Sequence, residues 1–221
     1  KVKFVPVDTN LIDAIWTDRP PIPAAEVAPH PERFAGESAS AKRHRLGQAL
    51  SGDKADAVVI TSPASIAWLF NIRGGDVSRT PLPLGEAILH ADGRADLFLA
   101  EEKVSPGLKQ WLGNEVSVRP SSDLAPALAE LSGKRVRLDP GTASAWYFER
   151  LKSAGAEIVR GQDPVALPRA CKNAAEIEGS RQAHIRDGAA VVRYLHWLAT
   201  EAQSGKVTEI EASNFARPQA N

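Results

Sequence analysis

The fold of this chain is decided by two adjoining segments, ADAVVIT at residues 55–61 and SPASIAWLF at residues 62–70. The first is a continuous apolar run rich in β-branched residues, which predicts a strand buried on both faces of a sheet. Ser62 and Pro63 then form an N-cap and first-turn pair, which predicts a helix directly after the strand. A strand followed at once by a helix indicates an α/β domain.

Five further strands are predicted on the carboxyl-terminal side. The runs LGEAILH and ADLFLA are separated by ADGR, and an Asp-Gly pair between two apolar runs is a strong hairpin signal. Helices are predicted at 106–112, 123–131 and 142–155, the last with Thr142 as its cap. We therefore predict an α/β fold with a mixed, about six-stranded sheet flanked by helices. The predicted strands occupy residues 55–61, 84–90, 95–100, 115–120, 134–139 and 156–161.

The first 54 residues are predicted to lead into this domain. VKFVPV at 2–7 indicates a short strand and LIDAIW at 11–16 a brief helix. The segment 18–31 is rich in proline, which excludes a helix interior or a central strand, so we expect a linker on the surface. Ser38 or Ser40 then begins a basic helix, and its KRHR cluster is expected to be a solvated face rather than an anion-binding patch.

Beyond residue 165 the pattern becomes helical. From Asn173 onward, apolar residues recur every three or four positions, which predicts one long amphipathic helix ended by the Ser-Gly pair at 204–205. Residues 208–211 form a capping box for a second helix. The long helix carries an apolar stripe at 177–198 without a partner layer, so we expect the isolated chain to self-associate or the helix to be mobile.

The composition excludes several classes of protein. Lys plus Arg and Asp plus Glu both number 27, so there is no electrostatic case for binding nucleic acid or an anionic membrane. No apolar run is long enough to span a bilayer. The single cysteine, Cys171, excludes an internal disulfide, is expected to be partly buried, and favours a cytoplasmic location.

The motifs of common catalytic sites are absent from the sequence. There is no HExxH, GxSxG or GxGxxG, and the five histidines are scattered, so we expect none of them to bind a metal. Four of the tryptophans lie among apolar residues of predicted helices and are expected to pack in the core. They are Trp68, Trp111, Trp146 and Trp197.

The polar loop NIRGGDVSRTP at 71–81 is the most suggestive segment. It carries Arg73 and Asp76 around two glycines, and functional groups favour loops that a rigid scaffold holds. The alternative is that Arg73 and Asp76 form an ion pair that merely fixes the loop. The local pattern favours this alternative.

Segments along almost the whole chain, in collinear order, resemble aminopeptidase P, the Xaa-Pro aminopeptidase family of the creatinase/prolidase superfamily. The likeness is centred on IAWLFNIRGGDVSRTP at 66–81, and VRLDPGTASAWYFERL at 136–151 and the segment 167–212 are also similar to that family. The resemblance implies a creatinase N-terminal-like domain and the first helices of a truncated pita-bread catalytic domain. The implied boundaries are 1–31 for the tail of a preceding domain with the Pro-rich linker, 32–54 for a connecting helix, 55–165 for the α/β domain and 166–221 for the truncated catalytic domain.

Members of that family remove the first residue of peptides that have proline in second position, using two divalent metals, usually manganese. The resemblance implies that the metal ligands lie outside this chain, so we expect no cofactor in it and no activity of the chain alone. It also implies that Arg73 and Asp76 lie toward the substrate cleft of the intact enzyme.

The role implied for this chain is that of a non-catalytic segment, which shapes the cleft and supports a homodimer in a cytoplasmic enzyme. The absence of methionine and the end of the chain soon after a helix start make a fragment the expectation. The alternative is a non-enzymatic scaffold or binding module that reuses the domain. Creatinase or prolidase itself is disfavoured by the length of the three-domain match.

Overall fold

A six-stranded mixed sheet forms the centre of the computed structural model, which describes Val2, Val5, Val7 and residues 9–216. Its strand order is β6-β5-β4-β2-β7-β8, with β4 antiparallel to both β2 and β5 and the other neighbouring pairs parallel. All six predicted strands and the hairpin are confirmed. The strands are β2 (Ala57–Ile60), β4 (Glu86–His90), β5 (Ala95–Leu99), β6 (Val116–Pro120), β7 (Arg135–Leu138) and β8 (Glu157–Arg160).

Helices cover both faces of the sheet, as the sequence predicts. All four residues of β2 are buried, because successive side chains point to opposite faces and both faces are covered. One face packs against α2 (Ala39–Gly52), α3 (Pro63–Leu69) and α4 (Pro106–Leu112), and the other against α5 (Leu124–Ala129) and α6 (Ala145–Ser153). The cap of α6 is Ser144 rather than Thr142.

The Pro-rich segment is more deeply packed than a surface linker. Ala28–Pro29 forms a two-residue strand, β1, that pairs antiparallel with β3 (Ile72–Arg73). Val27 is fully buried, and its N–H donates to the carbonyl of Lys103 at 3.0 Å. The expectation of a surface linker is therefore wrong for this part of the segment, because a single apolar side chain among prolines anchors it in the core.

The beginning of the chain gives little regular structure to compare. Half of the predicted strand at 2–7 lies outside the described residues, and Val2, Val5 and Val7 take no regular secondary structure. The predicted helix at 11–16 is a series of turns instead, closed by hydrogen bonds such as that from Trp16 N–H to the carbonyl of Ile12. The short helix α1 (Glu32–Ala35) follows β1, and Ser38 is the cap of α2, where it accepts a hydrogen bond from Ala41 N–H.

The carboxyl-terminal part is helical. The short helix α7 (Ala166–Ala170) precedes α8 (Ala174–Thr200), and a 3₁₀ turn leads through Gly205, with a φ of 69°, to α9 (Glu209–Ala216). The capping box at Thr208 is present, since its hydroxyl accepts from Glu211 N–H and the Glu211 carboxylate accepts from Thr208 N–H. Within the described residues, no helix has the length and hydropathy that crossing a membrane requires.

Helix α8 lies largely outside the core. None of its residues is buried, and Ile185 and Val192, seven positions apart on the apolar stripe, are 64% and 65% exposed. Trp197 stacks on Phe215 of α9, with ring centroids 4.3 Å apart. Cys171, just before α8, is exposed, so the expectation of partial burial is wrong.

The tryptophans divide between core and surface. Trp68 is buried, whereas Trp111 and Trp146 keep 37% and 36% of their surface exposed, and Trp197 is half-buried against Phe215. Core packing is therefore correct for Trp68 and wrong for Trp111 and Trp146. The periodic pattern alone does not separate them, because a large ring on a helix flank can cover the core edge while one side stays in water.

Candidate functional site

The polar loop at 71–81 begins where α3 ends. Asn71 takes a left-handed conformation with a φ of 49°, which asparagine tolerates better than most residues, and the chain then enters β3. The guanidinium of Arg73 donates to the carbonyls of Ala67 at 3.3 Å and Ile72 at 2.9 Å, and the side chain stays half-buried. Arg73 thus lies against the end of α3 at the start of the loop.

Asp76 is held in the interior by three donors. Its carboxylate accepts from Lys103 Nζ at 2.7 Å, from Leu84 N–H at 2.7 Å and from Ala25 N–H at 3.1 Å. Its side chain is 0% exposed and that of Lys103 3%. The expected ion pair between Arg73 and Asp76 does not form among the described residues, because Lys103 takes the carboxylate instead.

The charge of Asp76 is stabilised despite its burial. Burial alone raises the pKa of this carboxyl, but the hydrogen bonds from Lys103, Leu84 and Ala25 outweigh it and hold the pKa below its ordinary value. Asp76 therefore joins the Pro-rich segment, the loop and the segment after β5. Its carboxylate faces the interior and has no exposed surface that could meet a ligand.

Lys42 of α2 lies beneath the start of the loop. Its ammonium donates to the carbonyl of Trp68 at 3.0 Å and to Asn71 Oδ1 at 2.7 Å, and it lies 4.0 Å from the centroid of the Trp68 ring. Burial lowers the pKa of Lys42 to about 8, with the charge of nearby Glu176 acting in the opposite sense. The Asn71 amide also donates to the carbonyl of Glu37 at 2.8 Å, so Asn71 bridges α3 and the start of α2.

The burial of Lys42 contradicts the expectation of a solvated basic face. Lys42 is 0% and Arg43 2% exposed, because Lys42 shares a four-residue spacing with Leu46 and Leu50, which pack on the sheet. Arg43 donates to the carbonyl of Gly93 and pairs with Glu115 at 3.1 Å. The spacing was visible in the sequence and could have identified Lys42 as buried.

Helix α8 contacts Trp68 and Ala35 through its first turn and its cap. Glu176 accepts from Trp68 Nε1 at 3.1 Å and from Asn173 N–H at 3.0 Å, and Asn173 accepts from Glu176 N–H, which completes a capping box. The Asn173 amide donates to the carbonyl of Ala35 at 2.8 Å. Sequence reasoning missed Glu176, although the pattern Asn173-x-x-Glu176 is the signal of such a cap.

His30, directly after β1, lies beside the same group of residues. Its ring stacks on Phe34 with centroids 5.8 Å apart. Burial, followed by the positive charges of Arg73 and Lys42, lowers the pKa of His30, so its imidazole favours the neutral form. The cluster formed by Lys42, Trp68, Asn71, Arg73 and Glu176, here called the junction cluster, connects α2, α3, the polar loop and α8.

Two larger clefts among the described residues lie outside the junction cluster. One, of about 550 Å³, is lined by His90 and Asp96, whose side chains are 3.0 Å apart. Its other acidic groups are already engaged: Asp92 with Arg94, Glu115 with Arg43, Glu130 with Arg119, and Asp56 with Arg135 N–H. These contacts hold the acidic side chains of the cleft within the fold.

The second cleft, of about 420 Å³, lies beside the hydrogen-bonded carboxylate of Asp76. It is lined by Leu84, Glu86 and Lys103. Burial raises the pKa of Glu86, and Tyr147 Oη donates to its carboxylate at 3.3 Å. Across the described residues, no three His, Cys, Asp or Glu side chains come together in a way that could hold a metal ion.

Comparison with known proteins gives a consistent result. The Creatinase/Prolidase N-terminal domain family matches residues 18–176. A probable Xaa-Pro aminopeptidase P from Aspergillus clavatus is 36% identical over 96% of this chain, which corresponds to 34% of that protein. The chain thus spans about a third of the length of this curated relative.

Solved structures show the same likeness. The X-prolyl aminopeptidase of Caenorhabditis elegans, a cytosolic enzyme with a di-nuclear active site, superposes with a TM-score of 0.86 and 29% identity over 96% of this chain and 35% of its own. An Xaa-Pro dipeptidase from Bacillus anthracis superposes with a TM-score of 0.58 at 22% identity, over 81% of this chain and 48% of its own, which shows a shared fold.

Proposed function

Because this chain belongs to the creatinase/prolidase N-terminal domain family, we propose that it is the non-catalytic segment of a metal-dependent Xaa-Pro aminopeptidase. The observation that carries the proposal is the superposition on the nematode X-prolyl aminopeptidase, which covers 96% of this chain with a TM-score of 0.86. The intact protein would remove the first residue of peptides with proline in second position, as the names of its relatives state.

The division into domains that we propose follows the boundaries expected from the sequence. Residues 55–165 form the α/β domain, 1–31 and 32–54 the tail and connecting helix that precede it, and 166–221 the start of the catalytic domain. Helix α2, within 32–54, leads directly into the α/β domain, since Leu46 and Leu50 pack on the sheet. A cytoplasmic location is proposed for the intact protein by likeness to the nematode enzyme, which is cytosolic. A homodimer is proposed from the family resemblance alone.

The di-nuclear centre of the nematode relative does not fit the described residues of this chain. Within the described part, no cluster of three potential ligands exists. We therefore assign the described residues no step of the hydrolysis. Two divalent metals, with manganese as our proposal, would belong to the catalytic part of the intact protein.

The test of the proposal is a peptidase assay of the 221-residue chain with Mn²⁺ and a peptide that has proline in second position. We expect no release of the first residue, while the intact nematode enzyme in the same buffer serves as the positive control. Metal-dependent release by the chain itself would overturn the proposal.

For the polar loop we propose a supporting role at the substrate cleft. Arg73 is half-buried at the start of the loop, and the buried Asp76 fixes the loop from the inside. Arg73→Ala in the intact peptidase should raise KM or lower turnover on Xaa-Pro peptides, and Arg79→Ala, an exposed arginine of the same loop, should not. Unchanged kinetics of the Arg73 variant would contradict this role.

A further inference from the structure

The first turn of α8 is held by two polar contacts to distant parts of the chain. Glu176 accepts from Trp68 Nε1 at 3.1 Å, and Asn173 donates to the carbonyl of Ala35 at 2.8 Å. None of the 27 residues of α8 is buried, so apolar packing contributes little to its direction. The direction in which α8 leaves the α/β domain therefore depends strongly on these two contacts.

Because α8 is long, a small change of its direction at the first turn moves its carboxyl-terminal end a long way. A helix of 27 residues is about 40 Å long at 1.5 Å per residue. A rotation of about 10° at the first turn therefore moves the far end by about 7 Å. Displacements of this size exceed what a site built from both sides of a cleft tolerates, because catalytic geometry is sensitive to shifts of about 1 Å.

Trp68 is well placed to hold Glu176. Its indole is buried, and Lys42 lies 4.0 Å from the ring centroid while the indole N–H points to Glu176. The positive charge of Lys42 thus lies over the face of the ring, and the negative charge of Glu176 lies at its N–H edge. The same carboxylate also caps α8, so a single side chain fixes both the helix start and its attachment.

We propose that Glu176 is a positioning residue, which sets the orientation of α8, and of the catalytic part that follows it, through its hydrogen bond to the Trp68 indole. This inference deepens the proposed function and rests on it for its consequence in catalysis. The orientation itself can be measured without any peptidase activity.

The first experiment measures the direction of α8 in the 221-residue chain. Spin labels are placed at Gln110→Cys on α4 and Ala183→Cys on α8, both exposed positions, with Cys171→Ser to remove the native thiol. We expect a single narrow distance distribution that broadens or shifts in Trp68→Phe, which keeps the ring but removes the donor. An unchanged distribution in Trp68→Phe would overturn the proposal.

Matched variants separate attachment from general damage to the fold. Glu176→Ala should have at least the effect of Trp68→Phe, since it also removes the acceptor for Asn173 N–H. Adding Trp68→Phe to Glu176→Ala should change little, because both remove the contact between the indole and the carboxylate. Glu178→Ala is the control on the same helix, since that carboxylate is 57% exposed and its polar contacts, to Gln182 and Arg181, stay within α8. Glu176→Gln, which keeps an acceptor for the indole, provides a milder variant should Glu176→Ala fold poorly.

The second experiment measures catalysis in the intact peptidase. Trp68→Phe and Glu176→Ala should each lower kcat/KM by roughly 10-fold, the loss expected for one hydrogen bond to a charged group, with the larger part in kcat. Glu176→Gln should recover part of the loss. A changed spin-label distance without any change in kcat/KM would overturn the positioning role. Absence of peptidase activity from the unmodified intact protein would instead overturn the proposed function.

Discussion

Replacing Asp76 by asparagine removes the negative charge that pairs with Lys103 inside the protein. The two side chains are 0% and 3% exposed, and their contact of 2.7 Å is supported by Leu84 N–H and Ala25 N–H, which also donate to the carboxylate. An asparagine offers only one oxygen to these three donors. Its NH₂ group, itself a donor, then faces at least one of the donors that the second carboxylate oxygen accepted from. The ammonium of Lys103 is then left buried beside the carbonyl of Leu84 without the carboxylate that neutralises its charge.

The magnitude follows from the cost of leaving a buried charge unpaired. Breaking a buried pair by removing one partner typically costs about 3–5 kcal/mol. The exposed pair between Arg135 and Glu157, with side chains 37% and 65% exposed, provides the matched control, and Glu157→Gln should cost less than about 1 kcal/mol. Urea unfolding at neutral pH, followed by circular dichroism, measures both free energies of unfolding.

Two further measurements sharpen this prediction. The double variant Asp76→Leu with Lys103→Met removes both charges and should be destabilised by less than the sum of the single changes, since no unpaired charge remains. The depressed pKa of Asp76 stabilises the fold above the ordinary carboxyl pKa of about 4, and this stability is lost as the pH falls below that value. A loss under about 1 kcal/mol in Asp76→Asn would refute the assignment of Asp76 as a buried anchor.

Three other predictions concern the rest of the chain. Folding lowers the pKa of Lys42 to about 8, so the folded state favours the neutral amine above that pH. The free energy of unfolding should therefore rise by up to about 3 kcal/mol between pH 8 and pH 10.5. Urea titrations measure this rise, and Lys42→Met should abolish it. Gly36→Ala should destabilise the chain by about 1–3 kcal/mol, because Gly36 has a φ of 70° and an added Cβ would overlap the cap of α8. The control is Gly52→Ala, whose Cβ meets open space and which should be neutral within about 1 kcal/mol. Thermal unfolding measures both variants. Ile185→Glu with Val192→Glu should reduce self-association of the isolated chain in sedimentation velocity, and a strictly monomeric unmodified chain would contradict the expectation drawn from the exposed stripe.

The sheet could be predicted from sequence because its signals are local. The β-branched run at 57–60 identifies the central strand, and Asp92-Gly93 marks the hairpin, where Gly93 has a φ of 89°. Each signal requires only a few neighbouring residues. The strand order and the pairing of β2 with β7 depend instead on residues almost 80 positions apart, which no local pattern encodes.

The junction cluster could be predicted only in part. The polar loop was identified by its composition, but the partner of Asp76 is Lys103, 27 residues away, and nothing near Asp76 in the sequence indicates it. The burial of Lys42 and the cap formed by Glu176 were within reach, the first from the spacing to Leu46 and the second from the capping pattern. Both were missed because charged residues are normally assigned to the surface.

Three charged side chains in or beside the core share one structural use: those of Lys42 and Asp76 are buried, and that of Glu176 is half-buried. Lys42 contacts Asn71 at the start of the polar loop, and Asp76 contacts Ala25 of the Pro-rich segment. Glu176 joins the first turn of α8 to Trp68 of α3. An apolar side chain could fill the same space, but it would leave the carbonyl and N–H groups of these irregular segments without partners, at a cost of about 1–3 kcal/mol each. Buried charge is thus the solution where irregular backbone must be fixed in the interior. A catalytic role is not needed to explain these charges, which agrees with the positioning role that we propose for this segment.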